Sequence, residues 1–296
     1  VPIKAAVANW PLSAENAKKL QERSGLPKNL SFDLAEGIKL EMVLIPAGEF
    51  VMGSTEGYAD EYPMSRVKID KPFYMAKFEV TNSQYSLFDP AHQSGYISVY
   101  NKDQSRRGVA ADHEKQPVIR VSWQESMAFC DWLSQKTGHK FTLPTEAKWE
   151  YACRAGSDTD MNYGNVATNF SRHANLADER IHSLTPRDSP KWIPSAKGVN
   201  DGVVATAPVA KYQANAWGLH DMHGNVCEWT LSGYEPYPYK AGSGEAGEKK
   251  VVRGGSFYDR PKRARSAFRL GYPKWQRVFN VGFRVVCEVP KNLVKK

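Results

Sequence analysis

The sequence predicts a single α+β domain that is rich in loops and low in regular secondary structure. Among its 296 residues are 22 glycines, 18 prolines, 8 tryptophans and 14 tyrosines, while long amphipathic runs are few. Short apolar or alternating segments are instead separated by glycine and proline turns. Hydrophobic residues make up 41% of the chain and charged residues 24%, which is typical of a globular protein. A mixture of short strands, a few helices and aromatic side chains is therefore expected.

The chain begins with a predicted extension that carries one helix. Ser13 can cap a helix over Ala14 to Arg23, and Gly25 followed by Pro27 ends it. We divide the chain into an N-terminal extension at 1–38, the main domain at 39–290 and a basic tail at 291–296.

Strands follow from Leu40. The run 40–53 is predicted to form two strands around a turn at 46–48, and Phe73 to Val80 a third, after which Thr81 can cap a helical turn. Near the end of the chain, 251–257 and 280–288 are each predicted to form one strand. In the last one, alternate residues face the same side: Val281, Phe283, Val285 and Cys287.

Two helices have clear start and stop signals. Ser122 and Glu125 form the pattern of a capping box, and Gly138 ends that helix. Thr145 is the expected cap of the next helix, which runs to Gly156. In that helix Glu150 and Arg154 can pair at i,i+4. Beyond it periodicity fades until about Ala210, which is long for an irregular loop, so a bound metal is a candidate for ordering it.

The net charge and the hydropathy limit the classes of partner that are expected. The net charge of +8 favours anionic partners, but no motif of the usual nucleic-acid readers is present, so nucleic acid is not expected. No run approaches the ~18 apolar residues of a membrane span, so an integral membrane protein is not expected.

The cysteines are Cys130, Cys153, Cys227 and Cys287. Their even number is compatible with disulfides in a periplasmic or secreted protein, or with buried thiols.

Eight sequence blocks resemble, in order, the signature blocks of the formylglycine-generating-enzyme (sulfatase-modifying-factor) family. They extend from about residue 40 to 288: PAGEFVMGS, EVTNSQY, PVIRVSWQESMAFCDW, LPTEAKWEYACRAG, TAPVAKY, WGLHDMHGNVCEW, VVRGGSF and NVGFRVV. The resemblance implies that family's fold, a single α+β domain related to C-type lectins.

The resemblance also implies two calcium sites. Calcium takes six to eight oxygen ligands, mixing carboxylates with carbonyls. The first site would use the side chains of Asn175 and Asp201 with the carbonyls of Leu176 and Val203. The second would use the side chains of Asp221 and Glu228 with the carbonyls of Gly224 and Val226. The alternative is that Asp221 and Glu228 are solvated turn residues.

Other family positions bear on the cysteines and histidines. The family's disulfide pattern implies a Cys130–Cys287 bridge, although its second cysteine falls here at Val285. Cys153 loses its family partner, which is replaced by Ser266, so a Cys153–Cys227 bridge has no support. His220 and His223 at i,i+3 are interpreted as surface or packing residues rather than a transition-metal site.

The chain departs from the family at the catalytic segment. In the enzyme, two cysteines shortly after GGS bind copper(I), for which thiolates are suitable ligands. The corresponding segment 256–269 contains no cysteine, so copper is not expected. It contains basic residues instead: Arg260, Lys262, Arg263, Arg265 and Arg269. Arginine suits carboxylate, phosphate or sulfate groups. Either these residues line an anion pocket, or Arg265 and Arg269 pair with buried acids and leave only 260–263 as a solvated basic surface.

We therefore expect a calcium-stabilised binding or accessory module that uses the 256–277 surface for a protein, peptide or glycan ligand, including anionic ones. The expected contact residues are Arg260, Lys262, Arg263, Tyr272 and Trp275. Tyr272 and Trp275 could instead fill the edge of the core. The alternative is an oxidoreductase of altered mechanism in the maturation of a peptide or natural product, with Asp259, Tyr258 and His220 as catalytic candidates. Sulfatase maturation comes third.

Overall fold

In the described residues, a five-stranded and a four-stranded sheet share the apolar core, and two further sheets have two strands each. A computed structural model describes residues 7–8, 10–98, 108–184, 193–240, 242 and 247–293. The helices are α1 (Ala14–Glu22), α2 (Asn82–Ser86), α3 (Trp123–Thr137) and α4 (Glu146–Arg154). The strands are β1 (Asn29–Ala35), β2 (Ile38–Ile45), β3 (Gly48–Met52), β4 (Ser65–Ile69), β5 (Phe73–Ala76), β6 (Tyr96–Ile97), β7 (Val109–Ala110), β8 (Phe141–Thr142), β9 (Cys227–Gly233), β10 (Lys249–Arg253), β11 (Leu270–Pro273), β12 (Val281–Phe283) and β13 (Val286–Glu288).

The larger sheet has the strand order β1-β2-β5-β13-β8, and all its neighbouring strands are antiparallel. It is buried on both faces. Leu40, Met42 and Leu44 of β2 join one core cluster, whereas Val43 and Ile45 join another, because successive side chains of a strand point to opposite faces. Residues 29–35, which the sequence analysis placed in the N-terminal extension, form the edge strand β1 of this sheet.

The second sheet has the order β11-β10-β9-β12, with β12 parallel to β9. The segment 280–288, predicted as one strand, is two strands that belong to different sheets. The reason is Arg284, which lies between β12 and β13 and is fully buried against Glu228. The predicted alternation is nevertheless confirmed, since one core cluster contains all four of its residues: Val281, Phe283, Val285 and Cys287. Strands β9 and β11 were not predicted.

The helix ends follow their sequence signals. Ser122 and Glu125 form the predicted capping box of α3, and Gly138 closes it in the left-handed conformation. The hydroxyl of Thr145 accepts a hydrogen bond from the Lys148 N–H at the start of α4. The predicted Glu150–Arg154 pair is present at 2.8 Å. The cap of α1 at Ser13 is confirmed as well.

The long irregular stretch after α4 is also as predicted, since its described residues contain only a short 3₁₀ helix at Glu179–Leu184. In the part of the chain that the structure describes, no helix is long and apolar enough to cross a membrane.

Candidate functional site

A buried hydrogen-bond network lies at one end of the second sheet. Ser256 follows β10 by three residues, and Asn280 directly precedes β12. The Ser256 hydroxyl donates to Asp259 Oδ2 at 2.7 Å and accepts from Asn280 Nδ2 at 2.8 Å. It also accepts from the Tyr258 N–H at 3.2 Å. We call Ser256, Asp259 and Asn280 the serine network. Ser256 is fully enclosed, so it orients its neighbours rather than presenting a free nucleophile.

The groups around the serine network favour their uncharged forms. Burial raises the pKa of Asp259, although hydrogen bonding from Ser256 and the charge of Arg263 lower it in part. Burial, followed by the charge of Asp259, holds the pKa of the Cys227 thiol well above its usual value. Burial raises the pKa of Tyr272 to about 12, with Cys227 and Asp259 adding to the effect. Burial thus shifts all three groups toward their protonated forms, and Asp259 is the carboxyl group among them.

One acceptor of the serine network is unused. The side-chain oxygen of Asn280 is buried, and no described residue donates a hydrogen bond to it. An unpaired buried acceptor costs free energy, which a bound donor would recover. Asp259 and Asn280 are each 7% exposed, so the serine network is buried.

Exposed basic and aromatic residues flank the serine network along the chain, and we call Arg260, Lys262, Arg263 and Trp275 the rim. Arg260, Lys262 and Arg263 are exposed, and Arg263 Nη1 lies 3.8 Å from Asp259 Oδ1. Trp275 is 66% exposed, the most exposed large hydrophobic residue in the described chain. Tyr272 is partly buried and packs edge-on against Trp229 with 6.3 Å between ring centroids. Thus Tyr272 serves the edge of the core, whereas Trp275 offers a free ring.

The other two arginines of the segment belong to the frame. Arg265 pairs with both oxygens of buried Glu61, with Nη1 at 2.7 Å from Oε2. Arg269 pairs with both oxygens of buried Glu146, each at 2.8 Å. Of the two interpretations of the basic segment, pairing with buried acids is therefore confirmed for Arg265 and Arg269. The solvated basic surface is confined to residues 260–263.

The three catalytic candidates do not form one cluster. Asp259 belongs to the serine network, while the Tyr258 ring packs edge-on against Phe279 at 5.4 Å. His220 contacts the carbonyl oxygen of Tyr212 at 2.8 Å, and its ring lies 5.2 Å from that of Phe78. Burial lowers the pKa of His220. The Asp259 carboxylate is thus hydrogen-bonded to Ser256 and lies near Arg263, while His220 lies apart beside Phe78.

All four cysteines are free and buried, so the predicted Cys130–Cys287 bridge is not formed in the structure. Both thiols lie in the same core cluster, and the Cys287 sulfur contacts the carbonyl oxygen of Glu288 at 3.1 Å. Cys153 lies beside Ser266, with 3.8 Å between Sγ and Oγ.

His223 is a packing residue, as expected from the sequence. Its Nε2 lies 3.4 Å from the Cys153 sulfur, and its Nδ1 lies 2.6 Å from the carbonyl oxygen of Ala264. Burial lowers the pKa of His223 to about 4. The ring therefore stays neutral within the core.

Around the first expected calcium site, the side chains of Asn175 and Asp201 form hydrogen bonds within the protein. Asn175 Nδ2 donates to the carbonyl oxygen of Ala205 and to Asn225 Oδ1. The Asp201 carboxylate accepts from the Val203 N–H and the Tyr212 hydroxyl. Burial, with the negative charge of Asp178 adding to it, raises the pKa of Asp201 to about 6. The sequence analysis had missed Asp178, although it lies in the same ANLAD stretch as Asn175.

The second expected calcium site fits in part. Asp221 is buried, its Oδ2 accepts from the Ala210 N–H, and no described residue donates to its Oδ1. Burial raises the pKa of Asp221 to about 6, which indicates a carboxylate that lacks sufficient positive charge nearby. Glu228 does not fit, because Arg284 and Trp149 already occupy its oxygens.

Two further observations bear on the second site. Glu79, which the sequence analysis did not single out, is buried with an unpartnered Oε2, and the charge of Asp221 contributes to its raised pKa after burial. Across the described residues, no group of three or more His, Cys, Asp or Glu side chains is placed to hold a metal ion. Calcium at this site would therefore rely on Asp221 and on backbone carbonyls.

Comparison with known proteins gives consistent matches along the chain. The model of the sulfatase-modifying factor enzyme 1-like domain matches residues 32–289. The formylglycine-generating enzyme of Mus musculus is 27% identical over 84% of this chain and 75% of its own length. A Bos taurus relative named inactive C-alpha-formylglycine-generating enzyme 2 is 27% identical over 85% of this chain and 89% of its own.

Two solved structures share the fold. PvdO from Pseudomonas aeruginosa superposes with a TM-score of 0.69 at 26% identity, covering 88% of this chain and 98% of PvdO. Treponema denticola variable protein 1 has a TM-score of 0.68 at 20% identity, with 88% and 99% covered, which shows the fold alone.

Proposed function

The chain belongs to the sulfatase-modifying factor enzyme 1-like family, and we propose that this member binds an anionic ligand at its 256–277 surface without copper-dependent oxidation. The observation that carries the proposal is the pairing of an exposed basic rim with a buried polar floor. The rim supplies the guanidinium groups of Arg260 and Arg263, and the floor supplies the carboxyl group of Asp259, whose pKa burial raises, and the free acceptor of Asn280.

The distribution of arginine partners supports this assignment. Arg265 and Arg269 are bound to buried carboxylates, so their charge is not available to a ligand. No described residue forms a salt bridge with Arg260, and among the described residues Arg263 pairs only with Asp259, at the long distance of 3.8 Å. An arginine that is exposed and unsaturated can bind a carboxylate, phosphate or sulfate with two parallel hydrogen bonds. Trp275 can stack on an aromatic or sugar portion of the same ligand.

The thiol chemistry of the site supports a role without copper. The segment 256–269 contains no cysteine, and the cysteine near the serine network is Cys227. Copper(I) is bound by thiolates, whereas the Cys227 thiol is held protonated by burial. A pair of soft ligands at this surface is therefore not offered by the residues present.

Binding of 4-nitrophenyl sulfate, followed by quenching of tryptophan fluorescence, tests the proposal. The double variant Arg260→Ala/Arg263→Ala should weaken binding at least ~tenfold, because two charged hydrogen-bonding groups are lost. The matched control is Arg23→Ala/Arg66→Ala, which removes two arginines remote in the chain from the rim and should leave the affinity unchanged. Equal affinity of both double variants would refute the rim as the binding surface, and release of 4-nitrophenol would refute a purely binding role.

The second candidate function is an enzyme of altered mechanism that matures a peptide or natural product. It is favoured by one observation, the buried Asp259 whose raised pKa suits proton transfer at the mouth of the site. Asp259→Asn separates the two functions, since the amide keeps the shape of the network but cannot accept or release a proton at neutral pH. If the chain is only a binder, neither protein turns over a substrate and the arginine rim still binds the ligand in the variant; if it is an enzyme, turnover of its substrate is lost. Sulfatase maturation, suggested by the names of the relatives, is the third candidate and has no cysteine pair to support it.

We also propose that calcium stabilises the frame through Asp221. The ion would supply the positive charge that this buried carboxylate lacks, with the carbonyls of Gly224 and Val226 as further oxygen ligands.

A further inference from the structure

A large open cavity lies on the side of α4 that carries Lys148. Its volume is about 1050 Å³, at the upper end of the range for sites that hold drug-sized ligands. Its apolar lining includes Leu26, Val67, Ile69, Phe73, Ala147 and Val289. We call it the Lys148 cavity. None of these residues belongs to the 256–277 surface, so the cavity is separate from the proposed anion site.

Lys148 is the distinctive polar group of the Lys148 cavity. Its ammonium lies 4.8 Å from the centre of the Phe73 ring, and no described residue accepts a hydrogen bond or forms a salt bridge with it. Burial lowers its pKa, which shows that the ammonium has lost part of its hydration. A partly dehydrated cation over an aromatic ring attracts an anion strongly, because water competes less there than at the surface.

The neighbouring charges leave a positive field at one end of the cavity. Glu288 pairs with Lys140 at 2.9 Å, and Lys68 pairs with Asp70 at 2.9 Å. The charges of Lys148 and Lys71, after that of Lys140, also lower the pKa of Glu288. Lys148 and Lys71 form no salt bridge with a described residue, although the charge of Glu288 also acts on Lys148. With three lysines against two carboxylates, the lining keeps a net positive charge beside the apolar walls.

We propose that the Lys148 cavity binds an amphipathic molecule with one terminal carboxylate, such as a medium- or long-chain fatty acid. The charge complementarity identifies the occupant. A single dehydrated ammonium matches a single anionic head, and the walls formed by Val67, Ile69 and Phe73 match an apolar chain. The positive end of α4, whose first turn reaches the cavity through Ala147 and Lys148, favours the same head group.

Calorimetric titration with dodecanoate, below its micelle concentration, tests the proposal. The wild-type chain should bind dodecanoate with one site, and Lys148→Met should weaken this binding at least ~tenfold, since methionine keeps the apolar stem but removes the charge. Lys148→Arg should retain most of the affinity. The matched control is Lys18→Met, an exposed lysine of α1, which should bind as the wild type does.

Further measurements establish the class of ligand and show that each variant is folded. Dodecanol should bind the wild type more weakly than dodecanoate does, because it lacks the charge that Lys148 recognises. For the same reason, dodecanol should bind Lys148→Met as tightly as it binds the wild type. Val289→Trp, which fills the cavity from its rim, should abolish binding of both molecules. The melting temperature of each variant establishes that it is folded.

The overturning results are equally specific. The proposal fails if dodecanoate does not bind the wild type, or if Lys148→Met binds it as tightly. It also fails if a chain ending at residue 293 binds at least ~tenfold more tightly than the full chain, because the C-terminal residues would then be the natural occupant.

Discussion

The guanidinium of Arg284 holds both carboxylate oxygens of Glu228, with Nε at 2.7 Å from Oε2 and Nη2 at 2.6 Å from Oε1. Both side chains are buried, and Trp149 donates to the same carboxylate at 2.7 Å. The pair joins the loop between β12 and β13 to β9, so it fixes the point at which the two sheets meet. A residue expected from the family resemblance to bind calcium is thus part of a buried ion pair.

Removing one partner of this pair should be costly. Arg284→Met leaves the Glu228 carboxylate buried without compensation and should lower the free energy of unfolding by about 3–5 kcal/mol. Urea unfolding followed by tryptophan fluorescence measures the change. The double variant Arg284→Met/Glu228→Leu should recover part of the loss, because the unpaired charge is gone. A single variant as stable as the wild type would show that the pair does not hold the sheets.

The exposed and buried arginines of the basic segment should differ in their effect on stability. Arg265→Ala leaves Glu61 buried and unpaired, which should cost about 3–5 kcal/mol in chemical denaturation. Arg263→Ala, whose side chain is 59% exposed, serves as the control and should change stability by less than ~0.5 kcal/mol. A larger loss of stability in Arg263→Ala than in Arg265→Ala would contradict the assignment of Arg265 to a buried ion pair and of Arg263 to the exposed rim.

Stability should fall in acid through Glu150. Burial raises the pKa of this carboxyl, but the charges of Arg154 and Arg253 outweigh burial and bring the pKa below its ordinary value of 4.5. Because the folded pKa is depressed, the unfolded chain binds the proton first. The stabilisation is present above about pH 4.5 and is lost as the pH falls through the folded pKa.

Glu150→Gln should therefore be less stable than the wild type by about 3–5 kcal/mol at about pH 7. That gap should narrow as the pH drops below about 4. Urea unfolding at a series of pH values measures both quantities, and Glu15→Gln on exposed α1 is the matched control. A gap that is independent of pH would contradict the assigned pKa direction.

The cysteines should all be reduced and unreactive in the native protein. Burial raises the pKa of Cys153 and of Cys287 to about 12, and it raises the pKa of Cys130 and Cys227 as well. Thiolates are the reactive form, so iodoacetamide should label none of the four rapidly until the chain is unfolded. Mass spectrometry after unfolding without reductant should then find four labels. Two labels, with Cys130 and Cys287 unmodified, would show that the predicted Cys130–Cys287 bridge forms in the protein.

Calcium should raise the melting temperature relative to EDTA, because a ligand that binds only the folded state stabilises it. Asp221→Asn should remove most of that rise, since the free Oδ1 then lacks its charge. The control is Asp131→Asn, at an exposed position of α3, which should keep the full rise. An undiminished rise in Asp221→Asn would place the ion elsewhere, and no rise in the wild type would contradict calcium stabilisation.

Local signals in the sequence predicted the helices well, because each helix end depends on one or two neighbouring residues. Ser122 with Glu125, and Thr145 at α4, acted as their residue types suggest. Ion pairs between residues that are distant in the chain could not be predicted from such local signals. The sequence marked Arg265 and Arg269 as members of one basic segment, whereas Glu61 and Glu146, which neutralise them, lie 204 and 123 residues away.

The same limit applies to the candidate site. Asp259 was identified from its segment, but Asn280 joined Ser256 in the network only through the sheet, in which β10 and β12 lie on either side of β9. Glu79 escaped notice because its environment is set by Asn225 and Asp221, residues more than a hundred positions later. Burial, which decides the charge of all these groups, is a property of the assembled fold.

The division of 280–288 between two sheets has a consequence for biosynthesis. Strand β13 pairs with β5 and β8, and β12 pairs with β9. These partner strands are translated earlier and cannot complete their pairing until the late segment 280–288 has been synthesised. Contacts of such long sequence separation form slowly and only once both partners exist. The nascent chain should therefore leave the ribosome with open sheet edges, and a chaperone that shields them during synthesis would raise the yield of native protein.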